Sequence, residues 1–317
     1  MRRLLPLALA APLVLLAPAA EAHAQADPCR PGDRVNLRGK DFTNGRQLPY
    51  SLRCADLTGA KLDGVKLLQK DLTGAILRDA SLKGANLRQV VAEYADFREA
   101  DLREAELGQM HADYADLRGA LLIDADGTQA QFSRANLSGA KLTRGMFGQA
   151  KFTLAKLVRA DLTDATLIQA DARKADFTGA KLHEAKLGSV DLPNAVLRDA
   201  DLREVDFGSA DLDGADLRGA NVQDANFTFA DDLDLTGAKG TPKNLPDGVK
   251  GYTTPGPTRS RAADTPTRVS TSDAVFEPSR SFPFGLSLVV AGVLGLAVTL
   301  ARWANAHQRA RRQPYPR

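Results

Sequence analysis

Few residues of this 317-residue chain are of the types that perform catalysis or bind metals: it has two cysteines and four histidines. His23 lies in an apolar N-terminal segment, His307 lies among C-terminal arginines, and His111 and His183 are far apart in the sequence. We find no His/Cys spacing typical of a metal site, no nucleophile with a histidine base and no phosphate-binding loop. The sequence therefore predicts no catalytic residues, no bound metal and no cofactor.

The two cysteines, Cys29 and Cys54, are candidates for a disulfide. Such a bond is typical of exported proteins and would tie the segment before the regular part of the chain onto it. The alternative is two unpaired thiols, and the sequence leaves that choice open.

Both ends of the chain carry targeting features. Residues 1–26 contain Arg2 and Arg3, an apolar run and small residues around Ala24, the plan of a secretory signal peptide. Residues 284–301 carry no charge and are long enough to span a bilayer, and the arginines of 302–317 should stay cytoplasmic. We therefore expect a single-pass protein of the cytoplasmic membrane with its middle part outside the cytoplasm. The stretch FEPSRSFPFG resembles a PEP-CTERM sorting tail, so whether the anchor is retained or processed stays open.

The middle of the chain repeats every five residues. From Val35 to Phe229 it divides into 39 units whose third residue is Leu or Phe in 33 cases and whose first is Ala in 28. A period of five fits neither an α-helix nor a β-strand, so the backbone must turn in every unit. If the large and small apolar residues point inward, the result is a solenoid whose coils contact only their neighbours.

Units such as ADLTG (55–59), ANLRQ (85–89) and ADLRG (215–219) resemble the pentapeptide-repeat family, whose pattern is A-[D/N]-[L/F]-x-x. The resemblance implies an all-β fold, a right-handed quadrilateral parallel β-helix with four units per coil and about ten coils, here followed by one transmembrane helix. The expected order is a signal peptide (1–26), an N-terminal segment (27–34), the β-helix (35–230), a C-terminal cap (231–252), a disordered Pro/Thr/Ser-rich stalk (253–283), the transmembrane helix (284–301) and a basic tail (302–317).

Several units depart from the core pattern. In two of them Ala takes the central position while a larger residue takes the first, an exchange that conserves volume: Ala92 with Val90, and Ala112 with Met110. Gly127 and Ala172 have only alanine at the first position, so we expect a void or a kink beside them.

Outward residues recur every 20 positions and form columns. Tyr94 and Tyr114 should stack with His111 nearby, which makes a candidate partner-binding patch; the alternative is that the tyrosines only stabilise neighbouring coils. A second column is a candidate acidic ladder for a cation or a basic partner, or simply solvated carboxylates: Asp171, Asp191 and Asp211. Arginines that stand beside aspartates, such as Arg98 beside Asp96, should form local ion pairs.

These features favour a non-enzymatic protein-binding or scaffold rod, displayed outside the membrane on its C-terminal anchor. The resemblance also suggests DNA mimicry that protects a topoisomerase, but residues 35–230 hold 26 basic and 29 acidic residues, a net charge of only −3, and the ends predict export. A cell-envelope enzyme is the remaining alternative. The expected partners are the membrane and an unidentified protein, without nucleic acid; a homodimer is compatible with the sequence but not indicated by it.

Overall fold

The same tight turn recurs in nearly every unit. The computed structural model describes residues 28–30 and 32–252. In the unit 55–59, the N–H of Ala60 donates to the carbonyl of Leu57 at 2.9 Å, and Gly59 has a φ of +63°. A positive φ at the second central residue is the mark of a type II turn. The Asp56 carboxylate accepts from the N–H of Thr58 at 3.1 Å, which explains why Asp or Asn is favoured before the central residue.

Successive coils pair 20 residues apart. Asp56 forms a parallel bridge with Ile76, and the N–H of Leu57 donates to the Ile76 carbonyl at 2.7 Å. Bridges recur every five residues, so each coil has four sides, and each side contributes one bridged residue. We number the resulting columns as faces: face 1 runs from Asn36 to Asp216, face 2 from Asp41 to Lys239, face 3 from Lys66 to Lys243 and face 4 from Asp71 to Asp231.

The interior is filled by the central and first residues of the units. Val90 and Met110 are fully buried beside Ala92 and Ala112, as expected for a volume exchange. The prediction of a void at Gly127 is wrong. A Cβ there would lie 2.5 Å from Cδ1 of Phe147, so the phenylalanine of the next coil occupies this space.

The regular pattern is interrupted early in the chain. No bridge forms within residues 45–51, and Gln47, the central residue of the unit 45–49, is exposed. Its amide has no place in an apolar core, and Pro49 lacks the N–H that a bridge would use. The repeat is therefore not continuous from Val35, and it becomes regular from Leu52 onward.

A disulfide holds the N-terminal segment against the first coils. Cys29 is bonded to Cys54, and the segment lies over Gly74. A Cβ on Gly74 would stand 2.5 Å from Sγ of Cys29 and 2.7 Å from Cγ of Pro28. Glycine is thus required here by the close approach, whereas its φ of +66° is close to the value that non-glycine residues adopt at the same turn position elsewhere in the coil.

The C-terminal end continues the ladder in a tighter coil. The bridges Asn221–Lys239, Asn226–Lys243 and Asp234–Lys250 span 18, 17 and 16 residues in place of 20. Leu233 and Leu235 remain buried under this coil. Residues 231–252 therefore pair with the last regular coil and shorten the perimeter.

The predicted signal peptide (1–26), stalk (253–283), transmembrane helix (284–301) and basic tail (302–317) lie outside the described residues. Within residues 28–30 and 32–252, no helix has the length and apolar character needed to span a bilayer.

Candidate functional site

Face 4 and its border with face 1 carry the residues of the candidate partner-binding patch and of the candidate acidic ladder. His111 and Asp171, Asp191 and Asp211 belong to its column of bridged residues. Tyr94 and Tyr114 form the corner that separates face 4 from face 1, which we call the tyrosine corner. The opposite border, between faces 3 and 4, is the glutamine corner, and it is formed by Gln69, Gln89, Gln109, Gln129, Gln149 and Gln169.

The tyrosine corner is a stacked aromatic column that ends in a cation. The Tyr94 and Tyr114 rings are 4.9 Å apart with an interplanar angle of 9°. The guanidinium of Arg134 lies 5.4 Å from the centre of the Tyr114 ring and donates to its hydroxyl. Both tyrosines are half-buried and have φ near +60°, so the turn aims their rings along the corner. The predicted stack thus has a third member, Arg134.

The glutamine corner is an uninterrupted hydrogen-bonded ladder that sequence reasoning missed. Each side-chain amide Nε2 donates to Oε1 of the glutamine one coil further on, over six residues from Gln69 to Gln169. The five distances lie between 2.8 and 3.0 Å. The recurrence of Gln at intervals of 20 residues was the signal that could have found it.

His111, in the bridged column of face 4, contacts Gln131 and lines a groove beside the glutamine corner. The Gln131 amide nitrogen lies 3.3 Å from its Nε2 and 3.4 Å from its Nδ1. His111, Gln131 and Lys151 line an open groove together with four members of the glutamine ladder. The tyrosines of the predicted patch thus stack at one edge of face 4, and His111, on face 4 itself, lines a polar groove that extends to the glutamine corner.

The acidic ladder is partly neutralised by an arginine. Arg173 donates to both carboxylate oxygens of Asp171, at 2.8 and 2.5 Å. Burial alone would raise the pKa of Asp171, but the hydrogen bonds from Arg173 outweigh it and the pKa lies below its usual value. The bond to Asp171 raises the pKa of Arg173, and Asp191 and Asp211 add to that effect. One guanidinium thus offsets charge along the ladder.

On face 1 the arginines pair with the aspartates beside them. Arg98 lies 2.9 Å from Asp96, and at the far end both Arg198 and Arg218 contact Asp216. Hydrogen bonds from Arg218 and Arg198 hold the pKa of Asp216 well below its usual range. Burial instead raises the pKa of Asp96, and the neighbouring carboxylate of Asp116 adds to that effect, although Arg78 opposes it. Local pairing thus accounts for the basic column.

A third corner brings together a histidine and two carboxylates. His183, Glu184 and Glu204 offer ligand atoms that lie within 4.8 Å of one another. The prediction that no metal cluster can form rested on the distance between His111 and His183, and it overlooked carboxylates one coil away. The signal was Glu204, which follows Glu184 by one 20-residue coil.

A model of pentapeptide repeats matches the chain in eight copies, within residues 55–91, 80–110, 113–149, 155–194, 180–219 and 191–228. These matches cover more than half of the chain. It is a member of the pentapeptide-repeat family. The fold is accordingly the right-handed quadrilateral β-helix of that family, whose members are generally non-enzymatic structural or binding proteins. No enzyme family is indicated for the chain.

Solved pentapeptide-repeat structures resemble it over much of their length. HetL is a protein of the cyanobacterium Nostoc sp. strain PCC 7120 that is involved in heterocyst differentiation regulation. It is 31% identical to this chain, and the match covers 60% of this chain and 90% of HetL with a TM-score of 0.28. A protein of the Arabidopsis thaliana thylakoid lumen is 34% identical over 38% of this chain and 77% of its own, with a TM-score of 0.14. QnrB1, a plasmid-mediated fluoroquinolone resistance protein, is 19% identical over 59% and 89%, with a TM-score of 0.41. No curated protein matches the chain significantly.

Proposed function

We propose that this pentapeptide-repeat protein is a non-enzymatic binding rod, and that face 4 is the surface that contacts a protein partner. The observation that carries the proposal is the Tyr94–Tyr114–Arg134 column beside the polar groove of the glutamine corner. Tyrosine and arginine are enriched where proteins bind one another, because each offers large contact area together with a polar end. The ladders on both borders hold these side chains in place before a partner arrives, which lowers the entropy lost on binding.

We further propose that the rod works outside the cytoplasm and is held at the membrane by residues 284–301. The signal-like N-terminus supports export, and so does the Cys29–Cys54 disulfide, since such bonds persist in oxidising compartments. DNA mimicry has less support, because a uniform acidic surface would be needed and arginines are paired with the aspartates of face 1 and of the acidic ladder.

Site-specific photo-crosslinking tests the binding surface. A photoreactive phenylalanine analogue at position 114 should crosslink a partner in native membranes, whereas the same analogue at exposed position 164, on the corner between faces 2 and 3, should not. Replacing both tyrosines by Asn, which tolerates their positive φ, should abolish capture through a crosslinker placed at position 154. Equal crosslinking from positions 114 and 164 would contradict the assignment of face 4.

Reporter fusions test the location. An alkaline phosphatase fused after residue 250 should be active, because it folds only after export, and a cytoplasmic reporter fused at the C-terminus should also be active. An active cytoplasmic reporter after residue 250 would refute export.

A further inference from the structure

The corner between faces 2 and 3 carries a column of carboxylates near its C-terminal end. Asp164, Glu184, Glu204 and Asp224 occupy equivalent turn positions on four successive coils, all with φ between 57° and 59°. The outer two have basic neighbours: Asp224 lies 3.1 Å from Nζ of Lys243, and Asp164 interacts with Arg144. The inner two have His183 beside them, and only there do ligand atoms of three residues in the described chain converge within 4.8 Å.

The orientation of His183 is fixed by the backbone of the next coil. Its Nδ1 lies 3.1 Å from the carbonyl oxygen of Arg203. A carbonyl oxygen can only accept, so Nδ1 carries the hydrogen and donates it. A ring that carries its single hydrogen on Nδ1 presents a lone pair on Nε2, which stands 3.1 Å from Oε1 of Glu184. Two acceptors at this distance need a proton or a cation between them.

Arg203, which directly precedes Glu204 in the chain, makes its side-chain hydrogen bonds to another residue. Arg203 donates to both carboxylate oxygens of Asp201, at 2.7 Å each. Its guanidinium therefore faces face 2. The bonds to Asp201 raise the pKa of Arg203 and Glu204 adds electrostatically to that effect, but no described residue donates a hydrogen bond to the side chain of Glu204. The two glutamates thus keep a local negative charge at the place where the imidazole lone pair points.

We propose that His183, Glu184 and Glu204 form a surface site for a divalent first-row transition metal, with Zn²⁺ as the reference ion. Nε2 of His183 and one oxygen from each glutamate supply three ligands, and water completes a tetrahedron. The hydrogen bond from Nδ1 to a backbone carbonyl is the support that metal-bound histidines commonly have. An imidazole ligand favours Zn²⁺ over Ca²⁺, which prefers oxygen alone.

Only small side-chain movements are needed. Ligands of a tetrahedral Zn²⁺ stand roughly 3.4 Å apart, given bonds of about 2.1 Å. The present separations are at most 4.8 Å, and both glutamates are exposed with free torsions to close that gap. Because Glu204 lies one coil beyond His183 and Glu184, the bound ion would join two coils that otherwise contact through backbone bridges and apolar packing.

Zn²⁺ titration of the untagged full-length protein, by competition with a chromophoric chelator, tests the site. We expect one ion per chain, with His183→Gln and Glu204→Gln each weakening binding at least tenfold. Two matched controls should bind as tightly as the unaltered protein: Glu104→Gln, on the same corner but paired with Lys83 at 3.2 Å, and His111→Gln. The site would be supported if both variants, His183→Gln and Glu204→Gln, lost Zn²⁺ affinity while their far-UV circular dichroism spectra stayed unchanged.

Unchanged Zn²⁺ affinity in His183→Gln would overturn the proposal, and so would an equal loss in the controls. Co²⁺ gives a second readout that does not depend on affinity. The unaltered protein should show the intense visible absorption of a four-coordinate Co²⁺ ion, and His183→Gln should lose it. Tight binding of Ca²⁺ that is insensitive to His183→Gln would instead show a carboxylate-only site and refute the assignment.

Discussion

Gly127→Ala is expected to destabilise the protein, because the space that an alanine needs is already filled by Phe147. The new Cβ would stand 2.5 Å from Cδ1 and 2.6 Å from Cε1 of that ring, whereas carbon atoms in contact are normally about 3.5 to 4.0 Å apart. The ring has little room to move. It packs edge-on against Phe132 and Phe152, at centroid distances of 6.2 and 6.0 Å, and a Cβ on Gly145 would also collide with it.

An overlap of about 1 Å in a rigid core predicts a loss of roughly 1 to 3 kcal/mol in the free energy of unfolding. Whether Gly127→Ala raises or lowers the free energy of unfolding is informative, because the φ of Gly127 is not in the left-handed region and alanine can adopt it. Without the clash, replacing this glycine by alanine would stabilise the protein by about 0.4 to 1 kcal/mol. Gly148→Ala is the matched control: its Cβ would meet only the Ile168 carbonyl at 3.7 Å, so it should be neutral or stabilising.

A double-mutant cycle isolates the cause. Phe147→Leu alone should destabilise by removing buried ring atoms, but in that background Gly127→Ala should cost little or nothing, a coupling of about 1 to 3 kcal/mol. The measurement is guanidinium unfolding followed by far-UV circular dichroism, compared through transition midpoints because a solenoid need not unfold in one step. Additive effects, or a stabilising Gly127→Ala in the presence of Phe147, would refute this account of the core.

Three further predictions concern stability. The Cys29–Cys54 disulfide closes a loop of 25 residues, so its reduction should lower the free energy of unfolding by about 3.5 kcal/mol through the greater entropy of the unfolded chain. Unfolding with and without dithiothreitol measures this loss, and an unchanged stability would contradict a stabilising role of the bond. Gln109→Glu removes the hydrogen-bond donor to Gln129 and should lower the free energy of unfolding by about 1 kcal/mol at pH 7. The loss should be smaller at about pH 4, where a protonated Glu can donate again; equal losses at the two pH values would argue against the ladder. Asp216 has a folded pKa below its ordinary 3.8, so it stabilises above about pH 4 and this contribution is lost as the pH falls further. Asp216→Asn should therefore cost about 1 to 2 kcal/mol near pH 7 and flatten the acid side of the stability profile, as followed by thermal melting at several pH values.

The five-residue period was enough to predict a solenoid, because burial of the central residue in every unit requires a backbone that turns in every unit. The four-sided β-helix was predicted from the resemblance to the pentapeptide-repeat family. Four units per coil, as the resemblance implies, place residues 20 apart in one column, and this predicted the stacking of Tyr94 on Tyr114. The period failed at Gln47, where one polar side chain and a proline outweigh the register. It also failed at Gly127, where the filling atoms come from the next coil rather than from the same unit.

The side-chain clusters at the corners of the rod were harder to predict for a different reason. Sequence reasoning searched for residue types that are rare, such as His and Cys, and compared them with one another. The glutamine ladder consists of common polar residues, and Glu184 and Glu204, the two carboxylates beside His183, are common residues too. Their significance lies in recurrence at one coil spacing. Arg134 was missed because it pairs with a residue of a different type, Tyr114, whereas only residues of the same type had been compared between coils.

Because each coil has four sides, every inserted unit shifts the later residues of the chain from one side of the rod to the next. Inserting one complete five-residue unit would leave every inward position apolar while rotating all later residues by about 90°. An insertion between the tyrosine corner and the acidic ladder would move Asp171, Asp191 and Asp211 onto the neighbouring side, out of line with the tyrosines. Inserting four units would restore the alignment and only lengthen the rod, by about 4.8 Å. The side of the rod that carries the acidic ladder can thus be changed relative to the tyrosine corner without altering the apolar core.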